Sequence, residues 1–115
     1  MNLSFVELIV SDWHHSVHWY GEIFGCEQVP PTGEGKFALF QLGTGRVALK
    51  KGDPKPGNGL IAVEVPDLQA VVDRFTAKGI QPIEPLKQSD EGYRRVIYHD
   101  PDGHRISLFE QVRTA

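Results

Sequence analysis

One order of elements occurs twice in this chain: an apolar stretch, an aspartate, a helical stripe ended by glycine, and a hairpin. In the first half, residues 3–10 alternate, with Val6, Leu8 and Val10 on one side and Phe5, Glu7 and Ile9 on the other, the pattern of a strand covered on both faces. Ser11 or Asp12 then caps a helix over 13–24, where Trp13, Val17, Tyr20 and Phe24 recur at helical spacing and Gly25 supplies the stop. In the second half, residues 60–65 read as the strand. Asp67 caps a helix to about residue 78 whose stripe is Leu68, Val71, Val72 and Phe75, and Gly79 ends it. Such a repeat confines the chain to two βαβββ modules in tandem.

Each module closes on a hairpin. Residues 93–110 hold two runs rich in β-branched and aromatic side chains around Asp100-Pro101-Asp102-Gly103, where Pro presets φ and Gly tolerates positive φ. Residues 36–51 are a fainter copy around Gly43-Thr44-Gly45, and Arg46-Val47-Ala48-Leu49 sets against Arg105-Ile106-Ser107-Leu108. Before each hairpin a short strand is expected, over 27–31 and over 80–84, broken by Pro30 and Pro31 and by Pro82, and followed by turns at 32–35 and 87–92. Residues 52–59 are all turn formers and make the linker. The expectation is one α+β domain over 1–115, with module one at 1–51 and module two at 60–115.

The formal net charge of −3 and the scatter of Lys and Arg, apart from Lys50-Lys51 and Arg94-Arg95, argue against a nucleic-acid surface. No apolar run has bilayer length and no secretory pattern opens the chain, so a cytoplasmic protein without a membrane partner is expected. Cys26 is the single cysteine and reads as a small packing residue, with no basic neighbour in sequence to activate it. His14 and His18 have a helical chelating spacing, but the aromatic stripe points them to solvent. His99 and His104 flank the last turn.

Val10-Ser11-Asp12-Trp13, Ser16, Trp19-Tyr20 and Phe24-Gly25, together with residues 100–108, resemble the vicinal oxygen chelate superfamily of glyoxalases, bleomycin-resistance proteins and extradiol dioxygenases. The resemblance spans nearly the whole chain. It implies a curled eight-stranded mixed sheet around a ligand cavity, and a homodimer. Its enzymes hold a divalent metal with His, Glu or Gln on the first and last strands of the modules. The corresponding positions here are Phe5, Leu60, Ser107 and, by the repeat, Ala48. Phe, Leu and Ala offer no lone pair to a metal, so the resemblance implies a scaffold without its metal and without another cofactor.

The same register places Glu7 and Glu64 on the cavity faces, where a carboxylate serves as a general base or as a counter-charge for a cationic ligand. The alternative for each is a strand-edge residue reaching solvent or an arginine. Phe5, Ile9, Ala48, Leu60, Ala62, Tyr98, Arg105, Ser107 and Phe109 complete a mostly apolar lining with a few polar groups, the usual make-up of a small-molecule pocket. Two readings follow. One is a metal-independent protein binding an amphipathic small molecule. The other is a lyase, isomerase or thiol-transferase with Glu7 as general base. A third, an interaction module without ligand, stands beside them.

Overall fold

Two aspartates start the two helices. In the computed structural model, which describes residues 1–112, Asp12 accepts a hydrogen bond from the His15 backbone N–H (3.2 Å) at the start of α1 (Trp13–Phe24). Asp67 accepts from the Ala70 N–H (3.1 Å) at the start of α2 (Leu68–Ala77). Each cap satisfies one of the donors that a first helical turn leaves without an internal partner. Asp12, rather than Ser11, is therefore the first cap. Gly25 ends α1 at φ 67°, a left-handed conformation in which a Cβ would be strained, and its N–H closes on the Gly21 carbonyl. The buried stripe of α1 is Trp13, Ser16, Tyr20 and Ile23, so Val17 and Phe24 flank it rather than form it.

Among the described residues, seven strands accompany the helices: β1 (Val6–Val10), β2 (Phe37–Leu42), β3 (Gly45–Lys51), β4 (Leu60–Glu64), β5 (Glu84–Gln88), β6 (Tyr93–His99) and β7 (Arg105–Gln111). The fold is α+β as expected, but the strands form two sheets, β1-β3-β2 and β4-β7-β6-β5, in place of one curled eight-stranded sheet. Each helix carries the chain across so that the strand before it pairs in parallel with the last strand of the same half, β1 with β3 and β4 with β7. Sheet formation is thus completed locally in each half.

The eighth strand, expected over 27–31, is missing for a chemical reason. Pro30 and Pro31, joined by a cis peptide bond, carry no N–H for a ladder. What is left of the pairing is one hydrogen bond, from Val29 N–H to the Leu39 carbonyl (2.7 Å). The strand expected over 80–84 begins only at Glu84 and runs through residues assigned to the turn. Ile83 N–H still bonds the Ile97 carbonyl (2.8 Å), and the register then shifts between Glu84 and Lys87.

The chain divides into two compact units, Met1–Gly57 with Asp100–Asp102, and Asn58–His99 with the segment from Gly103 onward. In the first, α1 covers one face of its sheet. Tyr20 packs on Phe24 and Phe40, and Val10, Ala38, Val47 and Leu49 are buried with them. The distant Asp100–Asp102 segment is tied in by side chains. The Tyr20 hydroxyl donates to Asp100 Oδ2 (2.6 Å), and Ser11 donates to Asp102 from its backbone N–H (3.0 Å) and its hydroxyl (2.5 Å).

In the second unit, Leu68 and Phe75 of α2 are buried, and so are Val96, Tyr98, Ile106 and Leu108 of the sheet, with the Phe75 and Tyr98 rings edge to face at 5.2 Å. Glu110 accepts from the Leu68 N–H (3.0 Å) at the start of α2 and pairs with Arg94. Among the described residues, no helix is long and apolar enough to cross a membrane.

Candidate functional site

Pleating sends alternate side chains of a strand to opposite faces. Ala38, Phe40, Val47 and Leu49 turn to α1, so their neighbours form the first sheet's open face. The register there pairs Glu7 with Ala48 and Ile9 with Lys50, and sets Leu39 against Ala48 and Gln41 against Arg46. Phe5 directly precedes β1 and is 48% exposed. Four predicted site residues of the first half thus sit together. Glu7 is exposed.

The second sheet behaves in the same way. With Val96, Tyr98, Ile106 and Leu108 against α2, its open face, the one turned away from that helix, carries Leu60 beside Arg105, Ala62 beside Ser107 and Glu64 beside Phe109. Across β7 come Ile97 beside Ser107 and Arg95 beside Phe109. Ile97 and Ser107 are themselves buried, at 0% and 3% exposure, so the face is accessible around them, at Leu60, Ala62 and Glu64 and in part at Arg95, Arg105 and Phe109. Six predicted residues, Leu60, Ala62, Glu64, Arg105, Ser107 and Phe109, therefore share one surface. Tyr98 does not join them. It is fully buried on the helix side, where burial raises its hydroxyl pKa and the hydroxyl has no hydrogen-bond partner.

A charged cluster that sequence reading did not assemble lies on this second open face. Glu84 faces Lys87 (3.5 Å) and Arg95 (3.8 Å) through Oε1 and Arg105 (3.7 Å) through Oε2. Arg105 also donates to the Asn58 carbonyl (3.2 Å), while Arg95 Nε is buried with no partner among the described residues. Beside Arg95, the Tyr93 and Phe109 rings meet at 5.7 Å. The alternation Tyr93, Arg95, Ile97 was a signal for Arg95. Nothing local in the sequence announced Glu84 and Lys87, because the register shift between them brings both near the same guanidinium.

Phe5 and Ala48 in the first unit and Leu60 in the second carry no metal-coordinating side-chain atom, Ser107 carries a single hydroxyl, and among the described residues no group of three His, Cys, Asp or Glu side chains could hold a metal ion. His14, His15 and His18 are exposed on the outer side of α1, where His14 contacts Glu34 (3.3 Å). A cleft of about 560 Å³ beside α1 is bordered by Val17, His18, Cys26, Gln28 and Phe40. Burial pushes the Cys26 thiol up, so it stays protonated near neutrality and is no activated nucleophile.

The sequence profile described as the Glyoxalase/Bleomycin resistance protein/Dioxygenase superfamily matches residues 2–108. Several solved structures superpose on the chain. A glyoxalase/bleomycin resistance protein from Catenulispora acidiphila is 26% identical with a TM-score of 0.76, covering 95% of this chain and 98% of its own. TioX from Micromonospora sp. ML1 is 25% identical with a TM-score of 0.75, covering 97% and 100%. The fosfomycin resistance protein FosX from Listeria monocytogenes, at 21% identity, TM-score 0.80 and coverage of 97% and 94%, shares the fold.

Proposed function

This chain belongs to the glyoxalase/bleomycin resistance protein/dioxygenase superfamily, and from that premise we propose that it binds a small organic molecule on the open faces of its sheets without the superfamily's metal. The observation that carries this reading is the donor set. Where the superfamily's enzymes place His, Glu or Gln, this chain has Phe5, Ala48, Leu60 and Ser107. Phe5 and Ala48 put hydrocarbon on the face of the first sheet and Leu60 on that of the second, and Phe5 and Leu60 stand 48% and 39% exposed. Exposed apolar side chains on a sheet face suit contact with the apolar body of a small molecule.

A second reading keeps the superfamily's catalytic character, with Glu7 as general base. What favours it is that Glu7 is the one carboxylate among the described strand residues of the first open face. Untagged protein tests both. Elemental analysis is expected to find Ni, Zn, Fe and Mn far below one per chain, and a stoichiometric metal overturns the metal-free reading. Any turnover of a bound compound that Glu7→Gln abolishes, with binding retained, replaces the binding role by the catalytic one.

A further inference from the structure

We propose that the open face of the second sheet holds the oxyanion of a small organic ligand between Arg95 and Arg105, in the place that the Glu84 carboxylate now occupies. The inference rests on the reading of this protein as a small-molecule binder and gives the ligand its charge.

On this face Lys87, Arg95 and Arg105 gather around the single carboxylate of Glu84, while Glu64 lies exposed at the β4 edge and Asp90 borders the hollow beside Lys87 and Arg95. The Arg95 and Arg105 side chains are only 28% and 29% exposed, yet neither is spent on Glu84. Contacts of 3.8 and 3.7 Å bring charge together without the N–H···O geometry of a charge-assisted hydrogen bond, which closes to about 2.7–2.9 Å. Among the described residues, Arg95 Nε has no acceptor. A guanidinium presents five donors in a planar fork suited to a carboxylate or phosphonate, and here most of that fork is unclaimed.

Glu84 acts as an internal substitute. It reaches both arginines across Ile97 and Ser107 and keeps two half-buried cations from standing uncompensated. An incoming oxyanion takes over that role with closer hydrogen bonds and frees Glu84 towards Lys87. The Tyr93–Phe109 ring pair next to Arg95 offers the apolar body of the ligand a stacking surface. The ligand class is therefore an aryl or alkyl carboxylate or phosphonate, opposite in sign to the cationic compound that Glu7 and Glu64 suggest.

Benzoate, phenylphosphonate, benzyl alcohol and benzylamine share one ring and differ in charge, and titrating each into the full chain by two-dimensional NMR tests the proposal. Benzoate and phenylphosphonate should shift resonances of β6 and β7, with affinity falling as salt rises. Arg95→Gln and Arg105→Gln should each weaken benzoate about tenfold or more, as expected for one charge-assisted pair. Glu84→Gln should strengthen it, a gain that misfolding cannot produce. Benzylamine or benzyl alcohol binding on these strands as well as benzoate does would overturn the oxyanion while leaving a small-molecule site. No shift with any of the four up to millimolar concentration would remove both. Unchanged benzoate affinity in the two arginine variants, or weaker binding in Glu84→Gln, would also overturn it.

Discussion

Replacing Tyr20 by Phe removes one oxygen and leaves the ring contacts with Phe24 and Phe40 in place. That oxygen donates at 2.6 Å to Asp100, which is 4% exposed, so water has little access to take over the bond. Hydrogen bonds to a charged group contribute about 1.5–3 kcal/mol net, and a buried carboxylate that loses a donor falls in that range. Tyr20→Phe should thus cost about 2 kcal/mol, near a 30-fold loss in the folded-to-unfolded ratio. In urea, with m of roughly 1–3 kcal/mol/M, the midpoint should fall by about 1 M at unchanged m.

The same bond predicts a response to alkali. Burial first, and then the Asp100 charge, raise the Tyr20 pKa far above its ordinary value, so the native state keeps a proton that the unfolded chain releases above about pH 10. Stability from this group is complete below that pH and declines above it, by up to about 1.4 kcal/mol per pH unit. Tyr98 shifts in the same direction, so Tyr20→Phe should reduce the alkaline slope without abolishing it. A double-mutant cycle with Asp100→Ala decides the matter. Equal cost of Asp100→Ala in the parent chain and in the Tyr20→Phe variant, or a Tyr20→Phe cost below about 0.5 kcal/mol, refutes the reasoning.

The two faces of the second sheet should answer truncation differently. Leu108→Ala, at 1% exposure against α2, is expected to cost about 2–5 kcal/mol, while Leu60→Ala on the open face, at 39%, should cost under about 1 kcal/mol, both read by urea unfolding. Asp67→Ala removes the α2 cap and should cost about 1 kcal/mol, with Asp67→Asn close to neutral in the same assay.

Much of the fold was legible because its signals are local. Asp12 and Asp67 cap within three residues, Gly25 stops a helix by its own conformation, and the Asp100–Gly103 turn joins two alternating strands. Leu60 and Ser107 were placed by the resemblance and Phe109 by alternation from Ser107, and the register sets Leu60, Ala62, Ser107 and Phe109 on one face of the second sheet. Tyr98 failed the same test, since its parity with Val96 assigns it to the helix side. What depends on register or on distant partners was not legible. Two prolines erased an expected strand, β5 begins only at Glu84, and a register shift between Glu84 and Lys87 sets them opposite Ile97 and Arg95, two positions apart on β6.

Synthesis runs from the amino end onward, yet the acceptors for Tyr20 and Ser11 are Asp100 and Asp102. All strands and the helix of the amino-terminal half leave the ribosome before these two carboxylates exist, while domains elsewhere commonly fold as they emerge. Translation of the far hairpin therefore supplies the acceptors that complete the side-chain hydrogen bonds of the near half.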